Sequence, residues 1–130
     1  MGKVIGEEPI VLIRSLMDCP EIIAGDDTKL REILHPEKHG VEVRYSLAHA
    51  KLFAGSVSAL HQLRSSEVYY ILKGRGRMEI DGEDQDINPG DMIYIPPEAR
   101  QRIEALGNDD LEFLCIVDPA WREEDEFILD

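Results

Sequence analysis

From Val41 onward the chain is interrupted at short, regular intervals by residues that turn a backbone. Gly55-Ser56, Arg64-Ser65-Ser66, Lys73-Gly74-Arg75-Gly76, Asp81-Gly82-Glu83-Asp84, Asn88-Pro89-Gly90-Asp91, Pro96-Pro97-Glu98 and Gly107-Asn108-Asp109-Asp110 each punctuate segments rich in Val, Ile, Leu and Tyr. No helical period of useful length appears between residues 41 and 118. The spacing predicts many short antiparallel strands, closed into a sandwich or barrel. Asp81-Gly82 fits a hairpin turn, because both residues tolerate positive φ.

The flanks read differently. Residues 1–40 are expected to form an N-terminal arm. Within it Pro9–Ile13 reads as a short strand, and Asp26–Leu34 reads as either one helical turn or an edge strand. His35-Pro36 and Gly40 close the arm. Residues 41–118 are the expected barrel. Residues 119–130 are an acidic tail in which Trp121 and Phe127 are expected to pack on the barrel or on a neighbouring subunit.

A chain of 130 residues makes one domain, and folding at this size buries roughly two-thirds of the unfolded surface. Acidic residues outnumber basic ones 27 to 14, for a net charge of −13. That field repels phosphate backbones and anionic lipid heads and attracts cations. Nucleic acid and membrane surfaces are therefore not expected as partners. No segment has the apolar length of a bilayer-spanning helix, and Glu7-Glu8 stand where a secretion signal needs an apolar run, so a cytoplasmic location is expected. Of the two cysteines, Cys115 lies in the apolar run Leu111–Val117 and reads as a buried free thiol.

Two segments carry a family resemblance. Gly55, His61, Leu63, Glu67 and Gly74 hold the spacing of the first signature motif of the cupin family: Gly, five residues, His, one, His, three or four, Glu, six, Gly. Leu63 stands in place of the second His. Asn88–Gly107 resembles the second motif, but Glu98 stands where Gly is expected, Gln101 where His is expected and Ala105 where Asn is expected. The resemblance covers residues 41–118. It implies an all-β double-stranded β-helix, a jelly-roll barrel, with the N-terminal arm outside the motifs.

The family's chemistry rests on ligands that converge inside the barrel. Two imidazoles spaced by one residue point to one face of a strand, and a carboxylate and a third imidazole join them to hold manganese, iron, nickel or zinc. The resemblance leaves His61, Glu67 and Gln101 as metal-ligand candidates, with His61, Glu67 and Tyr69 as catalytic candidates. His49 could add a ligand or lie satisfied on the outer face. Alternatively, His61 and Glu67 form a buried hydrogen-bonded pair, helped by Arg64 or Arg102, because a buried carboxylate must be paired or protonated. Tyr69 shares the inward parity of Glu67, and its bland reading is packing with a polar tip. Tyr70 and Tyr94 read as barrel or interface aromatics. His35 and His39 are expected in a surface loop, since Pro36 argues against a helix. Glu123–Glu126 is expected to be a solvated face. Gly74, Gly76 and Gly82 read as turn glycines.

The function expected is binding of a small molecule, such as a sugar or organic acid, in the barrel mouth, with a homodimer as the assembly. The alternatives are a metal-dependent oxygenase, isomerase or lyase using His61, Glu67 and Gln101, and a metal-free isomerase or epimerase.

Overall fold

A computed structural model of the protein describes residues 11–130. Among the described residues, eleven strands form two antiparallel sheets. The strands are β1 (Glu21–Ile23), β2 (Lys29–Leu34), β3 (Ser46–Leu52), β4 (His61–Leu63), β5 (Ser66–Lys73) and β6 (Arg75–Ile80), followed by β7 (Glu83–Ile87), β8 (Met92–Ile95), β9 (Gln101–Leu106), β10 (Leu111–Asp118) and β11 (Glu126–Ile128). One sheet runs β1-β2-β3-β10-β5-β8 and the other β11-β4-β9-β6-β7. Sequence neighbours repeatedly fall in opposite sheets, which is the jelly-roll arrangement implied by the family resemblance and one of the sandwich or barrel forms the turn spacing predicts. Asp81 and Gly82 join β6 to β7 with φ of 51° and 85°, the left-handed pair that matches strand twist.

The core lies between the sheets. Ile71, Met78, Ile87, Ile95, Ile103, Leu111 and Phe113 fill it, and all are buried. They occupy alternate positions along their strands, as a one-sided sheet requires. Gly76 lies inside β6, not in a turn; a Cβ there would meet Glu104 O at 2.9 Å and a Leu111 methyl at 3.0 Å. Its role is close approach of two strands.

The flanks depart from expectation in three places. β2 is an internal strand, paired with β1 on one side and β3 on the other, so Asp26–Leu34 supplies neither a helical turn nor an edge. Val11–Ile13 has no regular structure, and Pro9 and Ile10 lie outside the described residues. The third departure is a short helix, α1 (Pro36–His39). Pro36 occupies its first position, where the missing N–H has no helical acceptor to lose and the fixed φ is already helical. His35 caps it by accepting from Glu37 N, its other ring nitrogen bonds Trp121 O at 2.8 Å, and the ring is buried. The expected surface loop is thus a capped helical turn anchored on the tail. Cys19 and Cys115 are both free and buried. Among the described residues no helix is long and apolar enough to cross a membrane.

Candidate functional site

Strand parity puts Glu67, Tyr69 and Ile71 on the inner face of β5, with Val68, Tyr70 and Leu72 turned outward. Gln101 opens the inner face of β9, and His61 and Leu63 take both inner positions of β4. His61 and Gln101 are register partners across β4 and β9. The four motif positions therefore converge, and each is nearly sealed: His61 is 2% exposed, Leu63 3%, Glu67 3% and Gln101 1%.

The bonds among these residues differ from a His61–Glu67 pair. Gln101 donates through its amide nitrogen to Glu67 Oε1. Cys115 Sγ donates to Glu67 Oε2 at 3.2 Å. Tyr69 O–H donates to Gln101 Oε1 at 2.9 Å. His61 turns Nδ1 to Ala59 O at 2.8 Å, and its Nε2 faces Asp26 Oδ2 at 3.7 Å, beyond hydrogen-bond range. The two arginines named as helpers are engaged elsewhere. Arg102 bonds Glu79, and Arg64 lies over the Phe127 ring.

Burial sets the direction of this chain of bonds. It pushes the Tyr69 phenol and the Cys115 thiol well above their ordinary pKa values, so both keep their protons and act as donors. Burial also raises the Glu67 carboxyl to about 7, against the opposing pull of the Cys115 and Gln101 hydrogen bonds. An ionised carboxylate only accepts. In the ionised form it takes the Gln101 NH2, and the Gln101 carbonyl oxygen accepts from Tyr69. Cys115 is the buried free thiol that the apolar run suggested, and its Sγ also reaches the candidate site through Glu67.

His61, Leu63, Glu67, Tyr69 and Cys115 line a cavity of about 360 Å³. Two further carboxyls reach it from the flanks. Asp26 comes from the turn between β1 and β2; its Oδ1 accepts from Thr28 N at 3.1 Å and Thr28 Oγ1 at 2.7 Å. Glu126 comes from β11, whose register sets it beside Leu63. The Trp121 side chain hydrogen-bonds Glu126, and burial raises its carboxyl. The tail is thus not a uniformly solvated face, because Asp125 is also buried and pairs with Arg122. Neither Asp26 nor Glu126 belongs to a motif. The one signal that could have found Glu126 is the alternation Glu126-Phe127-Ile128 of a short strand.

Other candidates lie elsewhere. His49 is on the outer parity of β3, bonded to Glu112 Oε1 at 3.0 Å, as a satisfied histidine. His39 bonds Arg14 and accepts from His35 N. Tyr70 and Tyr94 are exposed on the outer sheet face. Glu98 adopts φ of 70° at the position where the motif expects Gly, a conformation costly for a side chain with a Cβ.

Residues 49–117 match a family described as Cupin domain. An uncharacterized protein of Methanocaldococcus jannaschii is 43% identical over 109 residues, covering 83% of this chain and 86% of its own. An oxalate-binding protein of Thermotoga maritima is 32% identical over 113 residues, covering 82% of this chain and 93% of its own. Among solved structures, a predicted oxalate decarboxylase from T. maritima superposes with a TM-score of 0.72 at 26% identity, covering 83% of this chain and 99% of that one.

Proposed function

The chain belongs to the cupin family, and from that premise we propose that it binds a small molecule inside the barrel without a resident transition metal. The observation that carries this reading is the hydrogen-bond chain Tyr69–Gln101–Glu67–Cys115. A metal ligand must present a free lone pair. Leu63 has none and the Gln101 nitrogen is a donor, while the Gln101 oxygen accepts from Tyr69 and the Glu67 oxygens accept from Gln101 and Cys115, which leaves each of these oxygens one lone pair and holds it in the chain. His61 Nε2 is one imidazole nitrogen where the intact motif has three, and among the described residues no group of three or more His, Cys, Asp or Glu is placed to hold a metal ion. These residues do not fit the family's ion.

In its place, His61 and Glu67 offer polar contacts at the inner end of the cavity, and Tyr69 positions Glu67 through Gln101. The Glu67 carboxyl, at about 7, exchanges a proton in the neutral range and can act as acceptor or donor to a bound molecule. The apolar wall, including Phe113, Val117 and Leu30, takes the ligand's body. A homodimer belongs to the same reading, supported by the exposed Tyr70, Met92, Tyr94 and Ile116 on the outer sheet face; a monomer by light scattering would remove that part.

The second reading is a metal-dependent oxygenase, isomerase or lyase on His61, Glu67 and Gln101. The similarity to an oxalate-binding protein favours it. It requires His61 Nε2 and the remaining lone pairs of Glu67 and Gln101 to turn toward one ion. Thermal-shift screening of chelator-treated protein separates the two. The proposed function predicts ligands that raise the midpoint with no metal added; shifts that always require added manganese, iron, nickel or zinc would establish the second reading.

A further inference from the structure

We propose that the ligand is an uncharged alcohol or phenol, its hydroxyl seated between His61 and Asp26 and its apolar body along the cavity wall. The inference rests on the reading of the barrel as a metal-free binding site and goes on to name the ligand's class.

The His61 ring carries the argument. Its side chain is 2% exposed, yet one of its two nitrogens is left over. Nδ1 lies 2.8 Å from Ala59 O, and a carbonyl only accepts, so Nδ1 holds a proton. Nε2 stands 3.7 Å from Asp26 Oδ2, too far for a hydrogen bond. Among the described residues, every side-chain nitrogen or oxygen that is sealed from solvent has a partner. Nε2 has none in range, so it is not sealed. The ring is buried with that nitrogen aimed into the cavity it lines. A polar atom waiting in an apolar chamber fixes where a ligand's polar group goes.

A hydroxyl fits that place because it both donates and accepts. With the ring neutral, Nε2 carries a lone pair and accepts from the hydroxyl. With the ring protonated, Nε2–H donates to the hydroxyl oxygen, and the hydroxyl donates its own hydrogen to Asp26 Oδ2. One oxygen atom bridges a gap that the two side chains do not close themselves.

A full charge is poorly served there. A buried anion needs a positive partner. The Arg and the Lys of the lining are engaged: Arg14 Nη1 donates to Ile33 O at 2.6 Å and also bonds His39, and Lys38 Nζ lies 2.6 Å from Glu32 Oε1. A cation meets carboxyls that already have donors. Glu67 accepts from Gln101 and Cys115, Glu126 from the Trp121 side chain, and Asp26 Oδ1 from Thr28. The rest of the wall is apolar, with Leu30, Ala50, Leu63, Phe113 and Val117. A volume of about 360 Å³ is near the small end of ligand pockets. It suits one ring or a short chain, not a nucleotide.

The test compares two probes of one shape. p-Cresol and p-xylene differ by a hydroxyl in place of a methyl. Both are titrated calorimetrically into chelator-treated protein, with p-toluate and p-methylbenzylammonium as charged probes. A cavity without a waiting partner prefers p-xylene, because the hydroxyl gives up its water bonds for nothing. The expected result is p-cresol tighter by about ten-fold, with both charged probes weaker than p-cresol. His61→Leu should reverse the order of p-cresol and p-xylene. In isotope-labelled histidine NMR of the native protein, the His61 Nε2 resonance should move with p-cresol and not with p-xylene. The inference is overturned if p-xylene binds as tightly as p-cresol, if neither binds, or if Nε2 does not respond. Tighter binding of a charged probe without metal defeats this inference alone. Binding of any probe that depends on added manganese or zinc defeats the metal-free reading beneath it.

Discussion

The two ends of the barrel interior are built from the same strands and differ in what those strands point inward. Along β5 the inner positions read Glu67, Tyr69, Ile71; along β9 they read Gln101, Ile103, Ala105. Each strand passes from a polar end to a dry one within five residues. At the dry end Ile71 and Leu111 are wholly buried, and packing alone decides stability. At the polar end burial is equally complete, but every group must find a partner. The Tyr69–Gln101–Glu67–Cys115 chain is how that end meets the requirement. Alternation decides which way a side chain points, whereas the tolerable chemistry depends on which donors the neighbouring strands deliver.

The comparison is tested hardest where the two ends meet. Phe113 is buried against the Tyr69 ring, with centroids 4.6 Å apart. Phe113→Ala should lower stability by about 3–5 kcal/mol by denaturant unfolding. A loss under ~1 kcal/mol would mean that the dry end is not close-packed.

The next effect belongs to Glu67. Its carboxyl titrates at about 7 in the folded chain against an ordinary 4.5. Below 4.5 both states hold the proton and stability is flat. Between 4.5 and 7 the unfolded chain releases its proton while the folded chain keeps it, so stability falls as pH rises. The total is roughly 3 kcal/mol over that window. Glu67→Gln should lose that part of the slope in urea unfolding at pH 4 to 8. Equal slopes in the two proteins would show that the carboxyl is not held in a dry site.

Tyr69→Phe removes a single neutral donor and keeps the ring. It should cost about 1 kcal/mol, read as a small fall in the thermal midpoint. No change would mean that the Gln101 carbonyl is satisfied by another donor.

Much of this architecture is legible in the residues. Turn clusters announce the strands, Asp81-Gly82 announces its hairpin, and period-two alternation puts Glu67 and Tyr69 on one face. The spacing of Gly55, His61, Glu67 and Gly74 resembles the motif of the family that the chain proves to belong to. What is not legible comes from the flanks. Asp26 sits in a stretch of mixed pattern, and nothing local says that β2 enters the sheet. Glu126 sits in an acidic run that reads as solvated, and only the pairing of β11 with β4 brings it beside Leu63. Cys115 is indistinguishable from packing until the strand opposite supplies Glu67. Pro36 argues against a helix by propensity, yet the first position of α1 suits it. For Asp26, Glu126 and Cys115 the deciding contact is with a residue far away in sequence, and periodicity carries no information about it; for Pro36 it is the local helix start.

The central claim is that hydrogen bonds occupy the place of a metal. Elemental analysis of protein purified without a histidine tag tests it most directly. The account predicts manganese, iron, nickel and zinc each far below one per chain, unchanged in His61→Ala. A near-stoichiometric transition metal, lost in both His61→Ala and Glu67→Gln, would contradict it.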